Sequence, residues 1–227
     1  MQKHALRPIA RLSAEAQATL SLRDHILSGA LKPGARLTET PLAEQLGIAR
    51  ATLRMGLHRL ASEGIVVQIP YTGWQVVALS AQDVWELWTL RSSLESLAAR
   101  LAAERMTDGS AVRVNKSMES LAAACRQGRV NDINKADFDF HRTIVDLADH
   151  NRLCEHYRQV EQQVRLYIAS TNLYNEPDDW SVVVEHHRPL AEALIARNPE
   201  RAEAEARCHN ETFGRKLLSA MGDRPAG

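Results

Sequence analysis

The segment from Leu31 to Gly73 constrains the fold of this 227-residue chain more than any other part of it. It begins with a turn (LKPGARL), continues with a short helix (ETPLAEQLG) and a second helix (IARATLRMGLHRLASEG), and leads into two strand-like runs around Tyr-Thr-Gly, Ile65–Ile69 and Trp74–Leu79. Two amphipathic helices joined by a tight glycine-containing turn can lay the second helix in the major groove of DNA. The pattern therefore predicts a winged helix-turn-helix.

Arg50 and Arg54 are the candidates for reading DNA, because their four-residue spacing puts them on one face near the start of the second helix. Arginine can form a bidentate bond with guanine or with a phosphate. Two arginines on a merely solvated face are the alternative interpretation, which the flanking turn and hairpin disfavour. Lys32 and Arg36 are candidates for additional phosphate contacts.

The formal net charge of zero conceals an uneven distribution: residues 1–79 carry nine Lys and Arg against five Asp and Glu, and the remainder carries nineteen against twenty-three. Such an asymmetry suits a DNA-contacting module joined to a different module. Three cysteines without a CxxC pair favour a reducing compartment. The sequence has no apolar run of the roughly 18–20 residues that span a bilayer, and its first residues do not resemble a signal peptide. We therefore expect a cytoplasmic protein with no membrane partner.

Apolar residues at helical spacing predict a first helix over Ala14–Gly29, and a boundary follows the hairpin at Leu79 and Ser80. Beyond it, steps of three and four residues predict one long amphipathic helix to about Arg105, through Val84, Leu87, Leu90, Leu94, Leu97 and Leu101. Further helices fit about 111–127, 131–149, 151–171, 178–197 and 199–220. We predict a mainly α fold, with a winged helix-turn-helix domain over 1–79 that has a loose start and an all-α antiparallel bundle of about six helices over 80–227.

Four side chains in the predicted bundle could hold a metal. Asp137 and His141 stand four residues apart on one helix, and two other predicted helices carry His187 and His209. One carboxylate and three imidazoles suit Zn²⁺ or another divalent transition metal. Nine histidines also allow chance combinations. His186 competes with His187, His150 and His156 could lie on the surface, and spacing favours Asp137 over Asp139.

Several stretches together resemble the GntR family of bacterial transcription regulators, in the FadR-like subfamily with the helical FCD effector domain. They are ILSGALKPGARLTETPLAEQLGI, RATLRMGLHRLASEGIV, YTGWQVVALSAQDVWELWTLRSSLESLAARLAAE, DFDFHRTIV, EHHRPLAEAL and ARCHNETF, and the resemblance runs from about Leu20 to Leu218. It implies that Arg50 and Arg54 lie on the DNA-reading helix and that Gly73 lies at the wing tip. It also implies an intact metal-binding pattern of Asp137, His141, His187 and His209.

The reading helix departs from the family pattern Ser-Arg-Thr-Pro-Val-Arg-Glu-Ala, since it runs Ala49-Arg50-Ala51-Thr52-Leu53-Arg54-Met55-Gly56. Ala49 replaces an N-cap hydroxyl, a change worth about 1 kcal/mol of helix stability. Ala51 lacks a hydroxyl that could bond phosphate, and Met55 removes an acidic group. Both arginines are present, so we expect DNA binding through Arg50, Arg54, Thr52, Ala51, Gly73, Lys32 and Arg36, at a divergent or weaker site.

The resemblance implies a homodimeric, ligand-responsive regulator, a repressor in preference to an activator, that binds a pseudo-palindromic site on double-stranded DNA. A metal, zinc first and nickel, manganese or iron as alternatives, would anchor a small organic acid. Arg91 is a candidate for the acid's second anionic group and Arg165 a weaker one, although an ion pair between Arg91 and Glu95 is equally consistent with the sequence. A metal-dependent hydrolase or oxygenase, and a helical protein with a degenerate DNA module, are the competing functional classes.

Overall fold

The computed structural model describes residues 12–171 and 180–222. The chain divides into two compact units, Met1–Ala78 and Leu79–Gly227. The described part contains no helix that is long and apolar enough to cross a membrane.

The N-terminal unit has the predicted helix-turn-helix and wing. Its elements are α1 (Ala14–Leu27), β1 (Arg36–Leu37), α2 (Glu39–Leu46), α3 (Arg50–Ser62), β2 (Val66–Ile69) and β3 (Gly73–Val76). The strands form an antiparallel sheet in the order β1-β3-β2, in which Leu37 lies opposite Trp74 and Val67 lies opposite Gln75. The sequence pattern did not reveal β1, because a two-residue strand carries no periodicity and exists only through its pairing with β3.

The helices of this unit pack through their apolar faces. Ile26, Leu53, Leu57 and Leu60 are fully buried, and Trp74 from the wing is 1% exposed. The N-cap residue of α3, Ala49, provides no side-chain hydrogen bond, as its missing hydroxyl predicts.

Within the described residues, the regular elements of the C-terminal unit are all helices, which confirms the mainly α fold. It comprises α4 (Ala81–Glu104), α5 (Asp108–Gln127), α6 (Val130–Leu147), α7 (Asn151–Thr171), α8 (Ser181–Ile195) and α9 (Pro199–Gly222). A capping box begins α4: the Ser80 hydroxyl accepts from the Asp83 N–H, and the Asp83 carboxylate accepts from the Ser80 N–H. The break expected over residues 107–110 is shorter than predicted, because the Thr107 hydroxyl caps α5 by accepting from the Ser110 N–H. Part of the helix predicted from 178 lies outside the described residues.

The long helix α4 buries only part of the apolar stripe that the spacing predicts: Val84 is buried and Leu87, Leu94 and Leu101 are half-buried, but two leucines are exposed. Leu90 is 50% exposed and Leu97 is 44% exposed. Apart from Val84, its fully buried residues are small or polar, namely Arg91, Ser92, Glu95, Ser96, Ala98, Ala99, Ala102 and Ala103. Alanines let a neighbouring helix approach closely, so α4 packs through this side and brings Arg91 and Glu95 into the interior.

Candidate functional site

The start of α3 presents two exposed arginines that share one carboxylate. The side chains of Arg50 and Arg54 are 61% and 51% exposed. Arg54 donates to both oxygens of Glu39, Nε to Oε1 at 2.9 Å and Nη2 to Oε2 at 2.7 Å, while Arg50 Nη2 lies 3.4 Å from Oε2. Trp74 Nε1 donates to Glu39 Oε1 at 3.1 Å. Glu39 therefore joins α2, the reading helix and the wing.

Glu39 is ionised at neutral pH. The hydrogen bond from Arg54 lowers the pKa of its carboxyl to about 2, against a smaller opposing effect of burial. A bidentate pair fixes the plane of a guanidinium. Glu39 could not be predicted from the sequence, because nothing in the periodicity of α2 links it to α3.

The other residues predicted to contact DNA have varied surroundings. Ala51 and Lys32 are exposed and Thr52 is half-buried. Arg36 is exposed, but its Nη2 donates to the carbonyl of Thr72 at 2.8 Å. Gly73 begins β3 with φ 111°, a left-handed conformation that favours glycine.

The C-terminal unit brings the four predicted metal ligands together. His141 from α6, His187 from α8 and His209 from α9 are buried and offer ligand atoms that all lie within 4.8 Å of one another. His187 Nε2 lies 3.2 Å from His141 Nε2 and 2.9 Å from Asp137 Oδ1. Of the alternatives, Asp139 has a side chain 50% exposed and points elsewhere.

Backbone carbonyls orient two of these rings. His187 Nδ1 lies 2.7 Å from the Val183 carbonyl, and His209 Nδ1 lies 3.3 Å from the His186 carbonyl. A proton on each Nδ1 satisfies these carbonyls and leaves Nε2 with a free lone pair, which is the state that binds metal.

The charge states of the cluster also suit a metal. Burial lowers the pKa of His209 well below its ordinary value, and the neighbouring imidazoles lower it further. Burial opposes the ionisation of Asp137, but the adjacent His187 outweighs it and holds the pKa of that carboxyl well below its usual range. The result is a neutral imidazole at His209 and an ionised carboxylate at Asp137.

The spacing of the donor atoms fits a single ion. Two nitrogens bound tetrahedrally at 2.0–2.1 Å from zinc are about 3.3 Å apart. The observed separation of 3.2 Å between His141 Nε2 and His187 Nε2 is close to this value. Without an ion, two such nitrogens facing each other in a buried site have at most one proton between them. The donor set therefore fits a divalent transition metal.

A second buried cluster lies behind His141 and centres on Glu95. Arg91 Nε donates to Glu95 Oε1 at 2.6 Å, the Tyr157 hydroxyl donates to the same oxygen at 2.8 Å, and Asn210 Nδ2 donates to Oε2 at 2.8 Å. His141 Nδ1 lies 2.9 Å from Oε2, an ion-pair distance without the alignment of a good hydrogen bond. Burial opposes the ionisation of Glu95, but Arg91 outweighs it and keeps the pKa of that carboxyl well below its ordinary value.

Of the two interpretations of Arg91, the structure therefore contains the ion pair with Glu95. Arg165 lies over the ring of Phe138, with Cζ 4.7 Å from the centroid, and its Nε is 3.7 Å from Glu161 Oε1. The four-residue spacing predicts Glu95 only as a partner of Arg91, and its contact with His141 was not predicted. Asn210, which directly follows His209, was the available signal for a polar cluster there.

A helix-turn-helix with a wing, joined to a separate helical unit, is the architecture of a DNA-binding transcription regulator. Residues 14–76 match the bacterial regulatory proteins of the gntR family, and residues 86–212 match the FCD domain. The chain belongs to the GntR family of transcription regulators with an FCD domain, as the sequence resemblance predicts, and this family consists of regulators rather than enzymes.

Individual relatives agree with this assignment. The chain is 27% identical over 191 residues to YdhC, an HTH-type transcriptional regulator of Bacillus subtilis, covering 83% of this chain and 84% of YdhC. It is 31% identical over 178 residues to the probable D-xylose utilization operon transcriptional repressor of Paenarthrobacter nicotinovorans, covering 78% of this chain and 77% of that protein. The solved structure of Escherichia coli McbR/YncC is similar with a TM-score of 0.77 at 25% identity, covering 92% of this chain and 99% of that one.

Proposed function

We propose that this regulator is a homodimeric repressor that acts in the cytoplasm and senses a small organic acid through a metal held by Asp137, His141, His187 and His209. The observation that carries the proposal is the convergence of three buried imidazoles and one carboxylate from three helices on one point. Zinc is the first choice of metal, and nickel, manganese and iron suit the same donors.

The DNA-binding part of the proposal rests on α3. Arg50 and Arg54 are exposed on one face at its start, where a reading helix contacts base edges. A dimer with two such helices related by a two-fold axis recognises a pseudo-palindrome. Thr52, Ala51 and the wing glycine Gly73 would approach the phosphates, with Lys32 and Arg36 adding positive charge.

The sensing part rests on the charge balance of the buried site. Arg91 and Glu95 neutralise each other at 2.6 Å, so Asp137 is the remaining negative charge beside the histidines. A divalent ion there carries one positive charge more than Asp137 cancels, which favours a bound carboxylate. When bound, the metal supplies a Lewis acid for a carboxylate or hydroxyl of the effector and carries out no reaction. Arg165, next to Phe138, is the candidate for a second contact with the acid, and Arg91 could provide one only by leaving Glu95.

Repression is proposed by analogy with the relative from Paenarthrobacter nicotinovorans, whose name describes a repressor. Binding of the acid would favour one arrangement of the protein over another and lower its affinity for DNA by the coupling free energy between the two sites.

The experiment is selection of bound duplexes from a random DNA pool by the zinc-loaded protein, followed by affinity measurements with Arg50→Ala and Arg54→Ala. We expect an enriched two-fold-symmetric site and a loss of about 10- to 100-fold in affinity for each variant, because each removes a contact worth about 1–3 kcal/mol. Arg59→Ala is the matched control, since Arg59 lies near the end of the same helix with a side chain 59% exposed. No enrichment, or equal losses for all three variants, would contradict the proposal.

A screen of organic acids against the selected duplex then tests sensing. We expect an acid that releases the wild-type protein from the duplex but does not release His187→Asn, while both proteins bind the duplex equally without acid. Equal loss of DNA binding and response in the variant would make the metal a purely structural element.

A further inference from the structure

Glu95 has an unusual position for a carboxylate, because it is 3% exposed and has partners on four helices. They are Arg91 on α4 itself, His141 on α6, Tyr157 on α7 and Asn210 on α9. A buried carboxylate is tolerated only when its charge is paired and its oxygens are hydrogen-bonded. The ion pair with Arg91 balances the charge of Glu95 through Oε1. It does not explain why Oε2 has partners of its own, Asn210 and His141.

The two oxygens of Glu95 have separate partners. Oε1 accepts from Arg91 and Tyr157, whereas Oε2 accepts from Asn210 and lies 2.9 Å from His141 Nδ1. The amide of Asn210, which also donates to the Ala206 carbonyl, holds Oε2 in place beside the imidazole. The geometry at Oε2 is therefore built around His141.

His141 also differs from the other two histidines. The Nδ1 atoms of His187 and His209 lie against backbone carbonyls, which the helices fix in position. Among the described residues, the acceptor beside His141 Nδ1 is Glu95 Oε2, at 2.9 Å, and the two atoms are not aligned as a good hydrogen bond. A ring that binds metal through Nε2 keeps its proton on Nδ1 and needs an acceptor there.

We infer that Glu95 is the positioning residue for His141: its Oε2 accepts the Nδ1 proton and holds Nε2 toward the shared metal position, while its Oε1 neutralises Arg91. This inference rests on the proposed metal site and assigns the residue outside the ligand set that determines the strength of metal binding. A carboxylate behind a ligating imidazole fixes the tautomer and orientation of the ring and makes it a stronger donor.

The test measures zinc affinity of the full-length, metal-stripped protein by competition with a chromophoric chelator, together with the absorption spectrum of the cobalt-loaded protein. Glu95→Gln keeps the size of the side chain but removes its charge, and we expect zinc affinity to fall by about 10- to 100-fold with an altered cobalt spectrum. The double variant Arg91→Met/Glu95→Gln is also made, because it removes the buried arginine that the single variant leaves unpaired.

Glu161→Gln is the matched control. Glu161 is another fully buried carboxylate that pairs with an arginine, Arg142. Within the described part of the chain it forms no hydrogen bond or ion pair with the four candidate metal ligands. We expect its zinc affinity to stay within about twofold of the wild type even if the variant unfolds more easily, because Glu161 pairs with Arg142 and Arg165 and with none of the four donor side chains. A loss confined to the Glu95 variants separates positioning from general destabilisation.

The outcomes are distinguishable. Wild-type zinc affinity and an unchanged cobalt spectrum in a folded double variant would overturn the role of Glu95 and leave the proposed metal site intact. Failure of the wild-type protein to bind any of zinc, nickel, manganese or ferrous iron would overturn the metal proposal and the role of Glu95 with it. Equal weakening in Glu95→Gln and Glu161→Gln would assign Glu95 a structural role only.

Discussion

Glu39 and Glu95 each lie against a candidate functional side chain: the guanidinium of Arg54 in the first case and the imidazole of His141 in the second. Glu39 holds the guanidinium of Arg54 on the reading helix, and Glu95 lies behind the imidazole of His141. In both cases the candidate functional residue could be named from the sequence and its partner could not. The partners lie 15 and 46 positions away along the chain, beyond the reach of any helical period.

Glu39→Gln should make DNA binding stronger on random duplexes and less selective. Loss of the carboxylate frees Arg54 to contact phosphate, so the salt dependence of binding should steepen by about one unit of the log–log slope. Glu44→Gln is the control, because Glu44 is exposed on the same helix and pairs with no arginine among the described residues. Affinity titrations of both variants between low and moderate salt give the slopes, and equal slopes would show that only net charge matters.

The same residue gives a prediction for the pH dependence of stability. Since folding lowers the pKa of Glu39 from 4.5 to about 2, its ionised form stabilises the fold fully above pH 4.5, and this stabilisation is lost as the pH falls toward 2. The wild type should therefore protect α2 and α3 from hydrogen exchange better than Glu39→Gln at pH 6, with a difference that shrinks below pH 4.5. Exchange measured by mass spectrometry checks this, and a pH-independent difference would contradict it.

At the level of elements, α4 has two chemically different sides. Its small and polar side is buried and contributes Arg91 and Glu95 to the interior. Its other side exposes Leu90 and Leu97, which are seven residues apart and therefore share a face. Large apolar side chains that share an exposed face favour contact with another protein surface, and the proposed homodimer supplies one.

Leu90→Glu/Leu97→Glu should convert the proposed dimer into a monomer, because four buried carboxylates would face one another across a two-fold axis. Val112→Glu is the matched control, since Val112 is 65% exposed on α5. Sedimentation velocity at micromolar concentration distinguishes the forms. A double variant that remains dimeric would place the interface on another face.

On the scale of the whole molecule, the chain consists of two units with different chemistry. The N-terminal unit has exposed arginines and a small sheet, and the C-terminal unit has a buried cluster of histidines and carboxylates. Such a division suits the proposed function, in which one unit binds DNA and the other binds an effector, and the start of α4 joins the two units along the chain.

Zinc should stabilise the C-terminal unit directly. At free zinc about 1,000 times its dissociation constant, linkage predicts about 4 kcal/mol of stabilisation against unfolding. Thermal unfolding with and without zinc measures it, and hydrogen exchange should show the gain in α6, α8 and α9. His187→Asn should abolish the rise in unfolding temperature that zinc causes, whereas His156→Asn, at an exposed position on α7, should retain it. A zinc-induced rise in unfolding temperature in both variants would show that zinc binds at another site.

Much of the fold could be predicted because it is encoded locally. The helix-turn-helix, the six helices of the second unit and the facing pair Asp137 and His141 follow from spacings of three and four residues, which backbone geometry makes into shared faces. His187 and His209 were candidates from their residue type and predicted helices, and the family resemblance favoured them over His186 and the other histidines, which spacing alone left open.

The sequence by itself thus determined the two-unit plan, the reading helix with its arginines and the types of side chain available for a metal. Tertiary structure decided which sides of α4 are buried, that β1 pairs with β3, that Arg91 is held by Glu95, and that Glu39 joins Arg54 and Trp74. The physical reason is range: periodicity records contacts within one or two helical turns, whereas partners on different helices are selected by packing density and by the need to pair every buried charge.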